Sequence, residues 1–398
     1  MQIVLGNRSY PEYGVATIPF PIPREEYDHC IKLLAALEIG DAVRRDCQVL
    51  EVSGPWLALK RLEDSEVNLD ELDYLAKRLD SFCAGEDAQF QAMAEKLDLT
   101  DIRDFINLTF GCQQATVITD FSNLEHVGRE HYMNLNGGCA STEELDNLDG
   151  EETALLLIDS GAGAVTRYGV VYDNGMRLEQ LYDGKHLPDY HYEPDMLTVA
   201  LTSKKEPKNT EHVTWLYLPA AKGQIGRAML RSGIPDPEDM RFRFEGSGFP
   251  AEINAALDFQ QESIYELNDL AAAVETLSPA ERQKLGAAVQ LAQPECAFQI
   301  RHLAENLDQF EFAPNVHAPA EYGRYMIQES GHFEYDENLE GFYDYEKYGL
   351  QRMEQETGML TGKGYISYHG ALSLEELMME EPAETYRQGQ GFQMGGIA

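Results

Sequence analysis

Leu69, Leu72, Leu75, Ala76 and Leu79 fall at helical spacing, while Asp70, Glu71, Asp73, Lys77, Arg78 and Asp80 take the remaining faces. That pattern predicts an amphipathic helix with a solvated acidic side. It returns at Ile264, Leu267, Leu270, Ala271 and Val274, and a second helix start follows at Ser278-Pro279-Ala280-Glu281. There serine caps, proline suits the first turn and glutamate completes a capping box. Upstream, residues 27–38 (YDHCIKLLAALE) read as a short amphipathic helix and Cys47 to Val52 as a strand, roles taken later by Ile225 to Leu230 and Met240 to Glu245. The glycine-bounded, β-rich runs 163–175 and 358–370 predict hairpins, preceded by helices over Glu151 to Ile158 and Glu346 to Met353.

These elements recur at a fixed offset. Gly128-Arg129 matches Gly323-Arg324, Glu71-Leu72 matches Glu266-Leu267, and Gly163, Thr166, Gly169 and Gly175 recur as Gly358, Thr361, Gly364 and Gly370, always 195 residues on. An internal repeat this long implies two joined modules, not a solenoid. The expected organisation is a first module over 1–200, with 1–60 mixed, 61–112 helical and 113–200 α+β. A linker over 201–212, a second module over 213–372, and an acidic helix with a flexible tail over 373–398 follow. The expected fold class is α+β, a chain of small mixed and helical subdomains in two tandem copies.

With 43% hydrophobic residues the chain has apolar material for more than one core. No stretch approaches the roughly 18 to 20 apolar residues of a membrane span, and MQIVLGNRSYPEYG lacks the pattern of a secretion signal. A cytoplasmic location is the expectation. Cys30, Cys47, Cys83, Cys112, Cys139 and Cys296 show no close pairing, so they are read as reduced core residues. The charge changes the picture most: 69 acids against 31 bases give −38, far beyond the magnitude of about 2 to 8 that keeps a small domain soluble. Residues 201–250 hold 8 bases and 6 acids, which leaves 23 bases and 63 acids elsewhere. Halophilic adaptation also produces acid-rich chains, so composition alone does not define a function.

Candidate catalytic groups are sparse. There is no G-x-S-x-G elbow, and His126, His131 and Cys139 have no histidine or cysteine counterparts 195 residues on. The stretch containing His186, Asp189, His191 and Glu193 has metal-ligand residue types, which makes a metal-dependent hydrolase one alternative, against the simpler reading of a polar loop. Gly161-Ala-Gly163 completes no phosphate-binding loop. Arg241 and Arg243 in MRFRFE fit the solvated face of an edge strand, and direct nucleic-acid binding is not expected from so acidic a chain. No catalytic residue, metal or cofactor is expected.

A basic partner is. Formal charge −38 corresponds to the phosphates on about 65 Å of duplex axis at about 1.7 Å per charge, and eight tyrosines between Tyr322 and Tyr368 add side chains favoured in interfaces. The segment LEGFYDYEKYGLQRMEQETGMLTGKGYISYHG (339–370), with Tyr343, Asp344, Tyr345 and Glu346, resembles the closing segment of the ArdA antirestriction family. DELDYLAKRLDSF (70–82), YELNDLAAAVETL (265–277) and Leu218-Pro219 are similar to earlier parts of its pattern, so the resemblance covers about 213–370 and reaches the first module through the repeat. The resemblance implies an elongated α+β chain of small domains, a non-enzymatic mimic of bent B-form DNA that occupies the DNA groove of type I restriction-modification enzymes. Family members are commonly single modules that dimerise, so a homodimer and an intramolecular pseudo-dimer are both open. The expected contact set is Asp70, Glu71, Asp73, Asp80, Glu86, Asp87, Asp101 and Asp104 in the first module. In the second it is Glu262, Glu266, Asp269, Glu334, Asp336, Glu337, Glu340, Tyr343, Asp344, Tyr345 and Glu346. An acidic adaptor or chaperone for a basic protein is the other alternative.

Overall fold

Alternation along the first strands places Ile3, Leu5, Ile18 and Val49 on one buried face. In the computed structural model, which describes residues 1–205, 213–332 and 334–379, these residues belong to β1 (Gln2–Gly6), β2 (Val15–Pro19) and β3 (Cys47–Ser53). Helix α1 (Arg24–Ala36) lies between β2 and β3 in the chain, and β4 (Glu66–Val67) completes a sheet of order β2-β1-β3-β4. Tyr27, Cys30 and Leu34 of α1 join the sheet residues in one core.

That core continues into α2 (Leu69–Asp80), α3 (Glu86–Lys96) and α4 (Ile102–Leu108). Helix α2 starts where Asn68 accepts from the Asp70 amide at 2.9 Å and the Glu71 carboxylate accepts from the Asn68 amide at 3.2 Å, satisfying amides that the helix leaves open. Next come β5 (Thr116–Ile118), α5 (Leu124–Leu135), α6 (Thr142–Asn147), α7 (Gly150–Asp159), β6 (Ala164–Thr166) and β7 (Gly169–Tyr172), with sheet order β5-β7-β6. A further sheet, β10-β8-β9, is formed by β8 (Leu197–Ser203), β9 (Thr214–Leu218) and β10 (Met240–Ser247), with α8 (Lys222–Arg231) between β9 and β10 in the chain.

The chain then runs through α9 (Ala251–Ala256), α10 (Ile264–Glu275), α11 (Pro279–Ala292) and α12 (Ala297–Glu305). It closes with β11 (Phe310–Pro314), α13 (Pro319–Gln328), α14 (Tyr345–Glu356), β12 (Met359–Thr361), β13 (Gly364–Tyr368) and α15 (Leu374–Met379). The capping box at Ser278 and Glu281 is present at the start of α11. The fold is α+β.

Two compact units are present. One comprises Met1–Pro194 with Val199–Arg243, the other Asp195–Thr198 with the described residues from Phe244 onward. The division expected near residue 200 therefore differs from the compact units, since β9, α8 and most of β8 belong to the first. The linker expected from residue 201 begins inside β8, and Lys204 donates its backbone N–H to the Asp239 carbonyl at 2.8 Å. Residues 206–212 and 380–398, which carry the rest of the linker and the expected tail, lie outside the described residues. Of the cysteines, Cys30, Cys47 and Cys112 are buried as core, but Cys83 and Cys139 are exposed.

The offset of 195 reappears in the backbone. Helices α2 and α10 begin at 69 and 264 and end at 80 and 275; α5 and α13 begin at 124 and 319; α7 and α14 begin at 150 and 345. The sheets β5-β7-β6 and β11-β13-β12 have the same order, and their registers agree to the residue. Thr116 faces Tyr172 as Glu311 faces Ser367, and Ala164 faces Val171 as Met359 faces Ile366. Conserving such a register matters because a one-residue slip would turn every side chain to the opposite face.

Glycine sets the closest approach in both. A Cβ on Gly128 of α5 would lie 1.9 Å from the Gly150 carbonyl oxygen of α7, and one on Gly323 of α13 would lie 2.0 Å from the Tyr345 oxygen of α14. Helices this close admit no side chain at the crossing. Gly323→Ala should therefore lower the stability of the second unit by about 1–3 kcal/mol or more, read as a lower urea midpoint by circular dichroism. Gly341→Ala, whose Cβ meets nothing within 4 Å, should stay within about 0.5 kcal/mol.

Candidate partner-binding surface

Three carboxylates expected on the solvated side of α2 are instead structural. Glu71 is 1% exposed and Asp73 is 5% exposed. Glu71 accepts from Arg45 Nη2 at 2.6 Å and from the Tyr182 hydroxyl at 2.8 Å. Asp73 accepts from the Ile22 amide at 2.7 Å and pairs with Lys77 at 2.8 Å. Asp70 accepts from the Tyr27 hydroxyl at 2.7 Å and from Arg227 Nε at 3.1 Å, and lies 3.2 Å from Arg231. Burial of Asp70 opposes ionisation, but Arg227 and Arg231 outweigh it and hold the carboxyl below its ordinary value. These three residues do not belong to an exposed acidic face. The physical reason is that α2 is packed on its polar sides too, by cations and tyrosines distant in sequence.

The other first-module candidates divide. Asp80 and Asp87 are exposed, and Asp80 accepts from the Tyr192 hydroxyl at 2.6 Å. Glu86 is half-buried and accepts from the Cys83 amide at 2.6 Å. Asp101 caps α4 and pairs with Arg45 and Arg103, and Asp104 is half-buried beside it. In the second unit Glu262, Glu266 and Asp269 are half-buried, Glu266 lies 3.9 Å from Arg301, and burial raises the pKa of Glu262.

Residues 334–346 are different. Glu334, Asp336, Glu337, Glu340, Asp344 and Glu346 are all exposed, and no base occurs until Lys347. Asp336 caps the short 3-10 helix Glu337–Phe342, and Asp344 caps α14 by accepting from the Lys347 amide at 3.1 Å. Carboxylates at helix starts are favoured by the helix dipole, which fixes their position without neutralising them. Glu340 accepts from the Tyr335 hydroxyl, from the Tyr345 hydroxyl at 3.0 Å and from Gln328 Nε2 at 2.9 Å. The Tyr335 and Tyr345 hydroxyls hold its carboxyl below the ordinary range. The ring of Tyr343 lies 6.0 Å from Tyr335 and 5.7 Å from Tyr345, and the Arg324 guanidinium stands 5.3 Å over Tyr345. Tyr335 and Tyr345 thus brace the Glu340 carboxylate. By contrast, Tyr322 and Tyr365 are buried and donate to Glu356 at 2.6 and 3.2 Å.

A second such stretch was not among the expected residues. Glu143, Glu144, Asp146, Asp149, Glu151 and Glu152 are all exposed, and no base occurs between them. Asp149 caps α7 by accepting from the Glu152 amide at 2.9 Å. It stands 195 residues before Asp344, so carrying the repeat offset back from residues 336–346 would have located the stretch; the lack of a tyrosine motif concealed it.

The histidine-containing loop does not assemble a metal centre. Among the described residues no group of three or more His, Cys, Asp or Glu is arranged to hold an ion. His186 lies 3.1 Å from Asp183, and Asp189 accepts from the Tyr217 hydroxyl beside His191. Arg241 and Arg243 are exposed on the edge strand β10 while Phe242 between them is buried. No helix among the described residues is long and apolar enough to cross a membrane.

Two base-free acidic stretches are thus exposed on an α+β chain. Residues 210–367 match the family model of the antirestriction protein ArdA. This part of the chain is similar to the ArdA family, which supports an antirestriction role in general. No curated protein matches the chain. The match includes the exposed stretch at 334–346.

Structural and surface carboxylates should separate on substitution. Glu71→Ala, which breaks a buried ion pair, should destabilise the first unit by about 3 kcal/mol, whereas Asp87→Ala should stay within about 0.5 kcal/mol. Urea unfolding followed by tryptophan fluorescence reads both, because Trp56 and Trp215 lie in that unit.

Proposed function

We propose that the protein is a cytoplasmic antirestriction protein made of two tandem copies of one module, which mimics B-form DNA and inhibits type I restriction-modification enzymes by occupying their DNA-binding groove. The observation that carries the proposal is the exposed, base-free run of carboxylates from Glu334 to Glu346 inside the family-matching segment. Carboxylates fixed at helix starts replace phosphates in a groove lined by lysine and arginine, and their field steers association. The stretch Glu143 to Glu152 supplies the same chemistry in the first copy. The mechanism needs no cofactor and no bond-making step: inhibition is competition for a surface, stoichiometric and reversible.

Because the charge is spread over many groups, single substitutions have little effect, while removal of a whole stretch does. Cleavage of unmodified DNA by a type I enzyme, titrated with this protein at two salt concentrations, tests the proposal. Inhibition near equimolar amounts is expected, weaker at high salt and absent with an unrelated protein of similar net charge. A variant with Glu334, Asp336, Glu337, Glu340, Asp344 and Glu346 changed to their amides should require at least about tenfold more protein at low salt, as loss of several screened contacts implies. Undiminished inhibition by that variant removes the stretch from the contact surface, and no inhibition of any type I enzyme refutes the target. If the protein instead binds a basic protein without competing with DNA, it is an acidic adaptor.

A further inference from the structure

Residues 201–250, where bases outnumber acids, contain helix α8. Within the first unit, Arg227 and Arg231 of α8 are 7% and 8% exposed, and both reach Asp70 on α2. Arg227 also donates to the backbone carbonyls of Gly40 and, at 3.1 Å, Asp41. Arg231 donates to the Asn68 cap oxygen at 3.4 Å. A second set of contacts joins α8 to α1: the Gly223 amide donates to Asp28 at 2.8 Å, and Arg24 donates to the Pro219 carbonyl at 3.0 Å.

We infer that α8 is an intramolecular dock, through which the first subdomain of the second copy folds onto the first copy as one cooperative unit. Two modules that both carry excess negative charge repel, and a buried carboxylate facing two guanidiniums reverses that repulsion at the contact. Aspartate at position 70 is required by this arrangement; without it two arginines would be buried unpaired, and without them Asp70 would be. Arg227 and Arg231 are two of the eight bases in residues 201–250 of a chain that is not expected to bind DNA. Since these charges are buried, salt screens them little, so salt sensitivity of partner binding arises from the exposed stretches. The inference uses the two-copy reading but not the antirestriction target, so its test is independent of the inhibition assay.

The chain's two tryptophans stand on either side of the dock, Trp56 in the first copy and Trp215 on β9. The full-length protein labelled with 5-fluorotryptophan gives one fluorine resonance for each, assigned with Trp56→Phe, and urea titration follows both at once. In the unsubstituted chain the two native resonances should vanish at the same midpoint. In the Arg227→Gln/Arg231→Gln variant the Trp215 resonance should vanish at lower urea than that of Trp56. Arg231→Gln alone, which leaves Arg227 on Asp70, should separate them in the same direction by less. Separate midpoints in the unsubstituted chain, or coincident ones in both variants, would overturn the inference.

Discussion

Everything in this structure is arranged around a shortage of positive charge. With 69 acids and 31 bases, most carboxylates cannot be paired, and an unpaired carboxylate is tolerable only in water. The bases are accordingly placed where acids are buried: Arg45 on Glu71, Lys77 on Asp73, Arg227 and Arg231 on Asp70, and Arg352 on Glu356. Outside, residues 143–152 and 334–346 carry exposed carboxylates with no base among them. Function and folding thus draw on the same sorting of charge.

Some positions 195 residues apart in the matching elements carry different side chains. Ile118 and Val127 in one small core occupy the positions of Ala313 and Tyr322 in another, 195 residues on. The loss of volume at one site is offset at the other, and the new hydroxyl is satisfied by Glu356 at 2.6 Å. Likewise Asn107 bonds the backbone of Tyr182 through both amide atoms, at 3.2 and 2.7 Å. Its counterpart His302 has Nδ1 3.2 Å from the carbonyl of Leu377. The position that pins the returning chain is the same; the chemistry that pins it is not.

The local elements were legible because they depend on spacing. The α2 and α10 heptad-like patterns, the Ser278 capping box and the glycine-bounded hairpins all carry their signals within a dozen or so residues, as caps and amphipathic faces do. The exposed tyrosine-acid stretch at 334–346 was legible for the same reason. What could not be read was which polar side of a helix meets water. Asp70, Glu71 and Asp73 look like a solvated face, yet their partners Arg227, Tyr182 and the Ile22 amide lie 157, 111 and 51 residues away. Long-range pairing leaves no periodicity in the sequence. The repeat offset, by contrast, contained the location of the first acidic stretch, which the motif alone did not reveal.

The central claim is that the acidic surface and DNA are alternatives for one groove, and the most direct measurement is equilibrium competition. A fluorescently labelled unmodified duplex bound to a type I restriction-modification enzyme is titrated with the protein, and anisotropy is followed. Mimicry predicts complete release of the duplex, with the apparent affinity of the protein falling in direct proportion to added duplex. A complex that holds enzyme, duplex and protein together, with anisotropy retained at saturation, would contradict it.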